Sequence, residues 1–159
     1  MKLRLSSLVV LSAMLGYFLA PGVINNNEVL LLCLGGFLIT GASNAFNQIW
    51  EKELDKLMSR TQKRPLPQGR VSVLEGILVG ATMGILGITL LWLLNNTCAI
   101  LGILALVIYV AVYTPLKTIT PFAVFVGAIP GSIPPMLGYV AATGSFGLEA
   151  GVLFMIQFF

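Results

Sequence analysis

The chain has 159 residues, of which 57% are hydrophobic and only 9% are charged, with a net charge of +3. A soluble domain carries roughly a quarter charged residues, so this composition excludes an ordinary water-soluble globule. The sequence contains no histidine, which excludes histidine-based metal sites, serine–histidine triads and histidine ligation of haem within it. Several apolar runs approach the ~20 residues that a bilayer-spanning helix needs. They predict an all-α, polytopic transmembrane helical bundle.

Five complete spans and the start of a sixth are predicted, forming a single transmembrane domain over residues 1–159. In chain order they cover Leu3–Pro21, Glu28–Phe46, Leu74–Leu94, Thr97–Tyr113 and Pro121–Ala142, and the last begins near Leu148. The first run is long for a secretory signal and lacks a small-residue cleavage pattern, so we expect it to be retained. The last run is still apolar at Phe159, which predicts that the sequence is the N-terminal part of a longer protein.

The basic residues follow this order of spans. Two lie just before or at the start of the first span, six follow the second and one follows the fourth, whereas the intervening loops contain neither lysine nor arginine. With alternating spans, all nine lie on one side of the membrane, which is the positive-inside pattern. The N-terminus and the loop after the second span are therefore predicted to be cytoplasmic.

Proline and glycine are concentrated in the fifth predicted span, PFAVFVGAIPGSIPPMLGYVAATG. Proline within a membrane helix frees backbone carbonyls and kinks the helix axis. Such disruption is tolerated where neighbouring helices or a cavity satisfy the freed groups. Two interpretations stay open from the sequence: the region lines a cavity, or its small residues allow close helix packing.

Most of the charge lies in one segment, residues 44–70, with the sequence NAFNQIWEKELDKLMSRTQKRPLPQGR. Ten of the charged residues fall within residues 51–75, and a solvated loop is the ordinary explanation for such a run. However, Asn47, Glu51 and Asp55 are spaced four apart. At about 100° per residue, their oxygens line one side of a helix as a polar stripe.

The polar stripe requires a positive partner. Thr40 and Asn44 extend it into the second span, where polar residues are costly and usually face a cavity or partner. Stacked carboxylates repel each other, and Lys52 and Lys56 are offset from the stripe by roughly 80–120°. Mg²⁺ fits better, since it takes oxygen ligands and commonly binds through one or two carboxylates plus phosphate oxygens. The predicted metal ligands are Asn47, Glu51 and Asp55, whereas Glu53 points to the opposite side.

A basic cluster, Arg60, Lys63 and Arg64, follows the polar stripe directly. Alone, it is explained by the positive-inside pattern with contacts to anionic lipid. Arginine and lysine also bind phosphate oxygens, so the two features together predict a Mg²⁺-bridged diphosphate at the membrane surface. Tyr113 and Lys117 lie on the same side, where the lysine can reach a second phosphate and the tyrosine can face a developing cation. An interfacial tyrosine and a snorkelling lysine are the ordinary alternative.

Four motifs occur in order along the chain. They are N-x-x-x-E-x-x-x-D at 47–55, M-x-R-T-x-x-R-P-L-P at 58–67, Y-T-P-L-K at 113–117 and G-A-I-P-G-S-I-P-P-M-L-G at 127–138. Together they resemble the UbiA superfamily of intramembrane prenyltransferases over the whole chain. The proline-rich motif points to the haem branch of that superfamily over the quinone and chlorophyll branches.

The resemblance implies nine transmembrane helices around a central cavity, with two acidic motifs that bind Mg²⁺ and a prenyl diphosphate. The first acidic motif matches 47–55, with Glu51 where many relatives have aspartate. The second lies beyond residue 159, so we expect the fragment alone to be inactive. The candidate diphosphate-binding residues are Arg4, Arg60, Lys63, Arg64 and Lys117, of which Arg4 is matched only through the family's first helix. The candidate catalytic residues are Asp55, Tyr113 and Lys117.

The activity implied by the resemblance is Mg²⁺-dependent transfer of a farnesyl group from farnesyl diphosphate to a vinyl group of haem B. The resemblance also implies location in a bacterial cytoplasmic (inner) membrane. The lipid bilayer is then a partner, no nucleic acid is expected to bind, and the oligomeric state stays undecided. Prenyl transfer to a quinone precursor is an alternative within the superfamily. A transporter or structural membrane subunit is an alternative outside the superfamily. Transport sites usually lie near the bilayer midplane, whereas the diphosphate site predicted here lies at the membrane surface.

Overall fold

The chain folds into a bundle of helices. A computed structural model describes residues 3–159, with side chains from Arg4 onward, so Lys2, one of the positive charges used above, lies outside the described residues. The helices are α1 (Leu3–Leu19), α2 (Asn26–Trp50), α3 (Lys52–Leu57), α4 (Val73–Leu94), α5 (Asn96–Val107), α6 (Thr114–Leu116), α7 (Ala123–Thr143) and α8 (Leu148–Phe158). A π-helical segment, Ile108–Tyr113, joins α5 to α6. No β-strand occurs between residues 3 and 159, and the predicted all-α class is confirmed.

Helices lie at all six positions where apolar spans were predicted. Over the described residues, four helical runs are long and apolar enough to cross a membrane: Asn26–Trp50, Val73–Leu94, Asn96–Leu116 and Ala123–Thr143. Two further helices, Arg4–Leu19 and Leu148–Phe158, are apolar but shorter. The chain is therefore an integral membrane protein with several spans. α2 continues beyond the predicted span because Asn47 and Gln48 interrupt the apolar run near its end, and hydropathy detects only the apolar part of a helix.

Polar caps determine where α4 and α5 begin. Ser72 Oγ accepts a hydrogen bond from the Glu75 N–H at 3.1 Å, and the Glu75 carboxylate accepts one from the Ser72 N–H at 2.7 Å. This reciprocal capping box begins α4 immediately after the charged loop. At the other end of α4, Asn95 accepts from the Cys98 N–H at 2.8 Å and caps α5. The side-chain amide of Asn95 also donates to the Val140 carbonyl at 3.2 Å, which ties this turn to α7.

Glycines allow two pairs of helices to pack closely. The residues that α4 buries, mainly against α2, are Gly76, Gly80, Gly84, Gly87 and Leu91. A Cβ at Gly87 would lie 3.0 Å from the Ile39 backbone nitrogen of α2. Between α1 and α7, a Cβ at Gly138 would lie 1.8 Å from the Ala13 carbonyl oxygen. Small residues of this kind let the backbones of membrane helices approach closely. The resulting van der Waals contact stabilises the pair, because in lipid there is no hydrophobic driving force between helices.

α7 stays helical through three internal prolines, Pro130, Pro134 and Pro135. Towards its C-terminus it packs closely against α1, as the contact between Gly138 and Ala13 shows. Nearer its N-terminus it borders a cavity with Gly127, Pro130, Gly131 and Pro134. The two interpretations left open for this region therefore both hold, at different levels along the same helix.

The fourth span is interrupted by the π-helical segment. The Thr114 N–H donates to the carbonyl of Tyr109, five residues earlier, instead of the carbonyl four residues earlier. Pro115 follows, and proline lacks an N–H while its ring clashes with the carbonyl of residue i−4, here Ala111. A π turn accommodates such a mismatch and is frequent at functional sites. The helical path thus continues to Leu116, three residues beyond the predicted end of this span at Tyr113.

Candidate active site

The polar stripe continues across the junction between α2 and α3. The Glu51 N–H donates to the Asn47 carbonyl at 3.0 Å, and the Asp55 N–H donates to the Glu51 carbonyl at 2.8 Å. Helical spacing is therefore kept through this junction, and the three residues lie along one side as their spacing predicts. The Asn47 side chain donates from Nδ2 to Glu51 Oε2 at 2.6 Å. Asn47 and Asp55 are both buried, at 1% and 4% exposure.

Lys117 connects the fourth span to the polar stripe. Its Nζ lies 2.6 Å from Glu51 Oε1 and donates to Asn47 Oδ1 at 2.8 Å. The Asn47 amide is held on both sides, because its oxygen faces Lys117 while its nitrogen faces Glu51. Thr114 Oγ1, fully buried, lies 3.2 Å from Asn47 Oδ1 and 2.8 Å from the Tyr109 carbonyl. Its single proton can serve one of these two acceptors at a time.

Arg64 neutralises the other carboxylate of the stripe. Its Nη1 lies 2.6 Å from Asp55 Oδ2, and the two side chains are 18% and 5% exposed. The loop is held in this position by Thr61, which is buried and donates from Oγ1 to the Asp55 carbonyl at 3.1 Å. Charge-assisted contacts of this length are among the stronger hydrogen bonds in proteins.

The positive partners of the stripe therefore come from distant parts of the chain. Sequence spacing favours a divalent cation because Lys52 and Lys56, the nearest cations along the helix, lie off the stripe. Lys117 and Arg64 meet the two carboxylates through tertiary contacts that helical spacing cannot reveal. Both were predicted as ligands of a diphosphate, and in the structure the predicted anion-binding and metal-binding groups are each other's partners.

The remaining predicted cations lie outside this cluster. Arg60 and Lys63 are exposed in the loop, and Arg4 is exposed at the start of α1. Glu53 is exposed and pairs with Lys56 at 2.8 Å, as expected for a residue on the opposite side of α3. The hydrogen bond from Lys56 lowers the pKa of the Glu53 carboxyl below its ordinary value. Glu53 and Lys56 thus form a solvated surface pair.

A cavity of about 480 Å³ lies between α1, α2, α5, the π-helical segment and α7. The residues that border it include Thr40, Asn44, Tyr109, Tyr113 and Pro130. Thr40 and Asn44 are the two residues by which the sequence extended the stripe into the membrane, and they do face this space. Most of the remaining lining is aliphatic or glycine, so the cavity combines one polar end with a long apolar interior.

Two residues of this region were missed in the sequence. Tyr109 borders the cavity, and its ring lies 5.2 Å from that of Tyr113, with an interplanar angle of 43°. The four-residue spacing of the two tyrosines is the signal that could have found it. Thr114, within the Y-T-P-L-K motif, was missed because a single threonine carries no signal until its neighbour Asn47 is known. The aromatic residue at the end of the second predicted span, Phe46, packs on α4, where a Cβ at Gly80 would lie 3.1 Å from its ring.

The donor chemistry of the stripe suits a hard cation. Within residues 3–159, no group of three or more His, Cys, Asp and Glu side chains gathers to hold a metal by itself. The stripe instead offers one amide oxygen, from Asn47, and two carboxylates, from Glu51 and Asp55. This set is typical of Mg²⁺, which binds one or two carboxylates and completes its shell with water and substrate phosphate oxygens.

The sequence profile described as the UbiA prenyltransferase family matches residues 9–159. This chain belongs to that family. The resemblance seen in the four motifs is thereby confirmed.

Relatives and solved structures agree with the family. Protoheme IX farnesyltransferase from Christiangramia forsetii is 52% identical over 158 residues, which are 99% of this chain and 53% of the relative. The chain of a UbiA homologue from Aeropyrum pernix K1 superposes with a TM-score of 0.82 at 25% identity, over 96% of this chain and 56% of that one. A UbiA homologue from Archaeoglobus fulgidus, solved with DMAPP and Mg²⁺, superposes with a TM-score of 0.75 at 18% identity, over 98% of this chain and 58% of that one. This UbiA chain thus spans about half the length of the named relatives it matches.

Proposed function

We propose that the complete protein is a prenyltransferase that transfers a farnesyl group from farnesyl diphosphate to a vinyl group of haem B. The observation that carries this proposal is the pairing of Glu51 with Lys117 and of Asp55 with Arg64 beside an apolar cavity. The name of the relative at 52% identity supports haem B as the acceptor. The proline-rich motif supports the same branch of the family.

The charged cluster is suited to a diphosphate. Asn47, Glu51 and Asp55 would hold Mg²⁺, which supplies positive charge to the diphosphate oxygens when bound. Support for this comes from the distant UbiA homologue solved with DMAPP and Mg²⁺. Lys117 and Arg64 would turn part of their hydrogen bonding from the carboxylates to the phosphate oxygens.

Lys117 and Arg64 would stabilise the leaving group as it forms. When the allylic C–O bond breaks, its electron pair leaves with the diphosphate, and negative charge grows on the phosphate oxygens. Once they have turned towards the bound diphosphate, these donors would stabilise the charge without further reorganisation as the bond breaks, which is a major source of catalysis. Asp55 orients Arg64 at 2.6 Å, and the exposed Arg4, Arg60 and Lys63 would attract the anionic substrate from a greater distance.

The cavity is suited to the farnesyl chain. A volume of about 480 Å³ with one polar end lies within the range of small-molecule sites, ~300–1,000 Å³. The apolar tail would lie among the helices, while the diphosphate stays at the polar stripe. Tyr113 borders the cavity at that end and lies under Lys117, whose Nζ is 5.2 Å from its ring centroid. Its ring face can stabilise the allylic cation that remains after the diphosphate departs.

The reaction is completed by bond formation to the acceptor, haem B. The vinyl group of haem B supplies the electron pair for the new carbon–carbon bond, which leaves a cation beside the porphyrin. Water adds to that cation and loses a proton, giving a hydroxyethylfarnesyl group. The overall change consumes one farnesyl diphosphate and one water, and it releases diphosphate.

The experiment is product analysis with the full-length protein in membranes. Farnesyl diphosphate and Mg²⁺ are supplied with either haem B or 4-hydroxybenzoate, and products are identified by mass spectrometry. We expect a haem product heavier by one farnesyl group and one hydroxyl group, with release of diphosphate. Prenylated 4-hydroxybenzoate as the only product would assign the protein to the quinone branch. No diphosphate release with any acceptor would favour a transporter or a structural subunit.

A further inference from the structure

Gly127 of α7 faces the ring of Tyr113. A Cβ at this position would lie 2.6 Å from Tyr113 Cε2, 2.7 Å from Cδ2 and 3.3 Å from Cζ. These distances are too short for a real Cβ, so no residue larger than glycine fits unless the ring moves. Gly127 has an ordinary helical backbone, because the positive-φ glycines of the described chain are Gly22, Gly69 and Gly144. The requirement for glycine at position 127 is therefore one of space.

The Tyr113 ring is confined on its other sides as well. The Tyr109 ring lies 5.2 Å away, centroid to centroid, and Lys117 Nζ lies 5.2 Å from the centroid of Tyr113. Lys117 is itself held by Glu51 at 2.6 Å. A ring displaced from Gly127 must move against Tyr109, disturb the Lys117 contact, or swing further into the cavity. Each of these moves changes the polar end of the cavity.

We propose that Gly127 is a positioning residue that sets the place of the Tyr113 ring beside Lys117 in the cavity wall. It contacts neither the diphosphate nor the reacting carbon and acts through Tyr113. The inference rests on the proposed function, since it takes the catalytic role of Tyr113 from there.

Gly131 provides the matched control for the position of the ring. It lies four residues further along α7 and borders the same cavity. A Cβ there would meet nothing within 4 Å. Both glycine-to-alanine changes raise helix propensity equally and add one methyl group to the same wall. They differ only in the contact with Tyr113.

The first measurement follows the ring directly in the full-length protein without substrate. A fluorotyrosine is incorporated at position 113, and its ¹⁹F resonance is recorded in detergent. We expect Gly127→Ala to shift this resonance and Gly131→Ala to leave it in place. An unshifted resonance in Gly127→Ala would overturn the inference, whether or not the protein proves to be a farnesyltransferase.

The second measurement is the rate of farnesyl transfer. Misplacing a reacting group by about 1 Å can slow a reaction ~100-fold, so we expect Gly127→Ala to lower kcat about 10- to 100-fold. KM for farnesyl diphosphate should change much less, because Lys117 and Arg64 hold the diphosphate. Gly151→Ala, on α8 with nothing within 4 Å of its Cβ, should retain the wild-type rate.

A double-mutant cycle separates positioning from a general packing defect. In a Tyr113→Leu background there is no ring for a Cβ at position 127 to displace, so Gly127→Ala should cause no further loss of kcat. A full additional loss in that background would show that Gly127 acts through another residue and would overturn the inference. An inactive wild-type protein would instead refute the proposed function, and the fluorine resonance would then decide the role of Gly127.

Discussion

Lys117 Nζ lies 2.6 Å from Glu51 Oε1 and joins the end of the fourth span to the end of α2. Both side chains are largely shielded, at 24% and 16% exposure. Lys117 also donates to Asn47, and Thr114 lies against the same amide oxygen. The acidic motif after the second span and the Y-T-P-L-K motif are thus two halves of one polar site.

Replacing Lys117 by glutamine should weaken the binding of farnesyl diphosphate. The substitution removes a cation that would bind the diphosphate and leaves the Glu51 carboxylate with the Asn47 amide but without its ion-pair partner. A hydrogen bond to a charged group contributes about 1.5–3 kcal/mol, so we expect KM for farnesyl diphosphate to rise about 10- to 100-fold. The measurement is the initial rate of farnesyl transfer against substrate concentration in the full-length enzyme.

Lys56→Gln is the control for this experiment. Lys56 is an exposed lysine in the same charged region, and it pairs with the exposed Glu53. Its loss should leave KM unchanged, since exposed ion pairs contribute little. Equal effects of the two substitutions would indicate that only the overall charge of the loop matters and would argue against a site built around Lys117.

Thr114→Val tests how the Asn47 amide is held. Valine has a similar shape but lacks the hydroxyl that lies 3.2 Å from Asn47 Oδ1. We expect a loss of about 1 kcal/mol in stability, together with a lower rate of farnesyl transfer. Thermal unfolding in detergent and the transfer rate measure the two effects. Thr118→Val is the control, because that exposed hydroxyl bonds only to the nearby Pro115 carbonyl, and a loss of activity equal to that of Thr114→Val would contradict the role given to Thr114.

The sequence predicts the helices well because bilayer spans depend on local hydropathy. The sequence also predicts that Asn47, Glu51 and Asp55 share one side of the helix, because this follows from their four-residue spacing alone. Lys117 and Arg64 could be identified as cations, but their carboxylate partners could not, because those contacts depend on how the loop and the fourth span return to α2.

Other features were hidden for the same physical reason. The π-helical segment depends on how the chain accommodates Pro115, and a proline in a span predicts a disruption without its form. The role of Gly127 depends on the position of the Tyr113 ring on a different helix. Hydropathy also underestimates the length of α2, because the residues after Phe46 are helical but begin with the polar Asn47 and Gln48.

Gly138→Ala should destabilise the contact between α1 and α7. The added Cβ would lie 1.8 Å from the Ala13 carbonyl oxygen, and backbone atoms cannot move aside as a flexible side chain can. Overpacking typically costs about 1–3 kcal/mol, and we expect at least the upper part of this range. The thermal midpoint in detergent measures the effect. Gly36→Ala, whose Cβ would meet nothing within 4 Å, should leave the midpoint unchanged, and a similar decrease in both variants would contradict the close approach at Gly138.

The orientation in the membrane stays a prediction from the basic residues, and cysteine labelling tests it. In a background with Cys33 and Cys98 replaced by alanine, single cysteines are placed at Ser59 in the charged loop and at Asn26, the exposed first residue of α2. Since the basic residues stay on the cytoplasmic side, a membrane-impermeant maleimide added outside spheroplasts should label position 26 alone. Labelling of position 59 from outside would reverse the proposed orientation.

The Mg²⁺ dependence of farnesyl transfer in Asp55→Asn is the most direct measurement of the diphosphate site. In the full-length enzyme, the rate is recorded against MgCl₂ concentration for this variant and for Glu53→Gln, a carboxylate on the opposite side of α3 that pairs only with Lys56. Because Asp55 lies on the stripe and orients Arg64, its amide variant should lose Mg²⁺-dependent turnover, whereas Glu53→Gln should keep it. Undiminished turnover in Asp55→Asn would contradict the assignment of the stripe as the metal and diphosphate site.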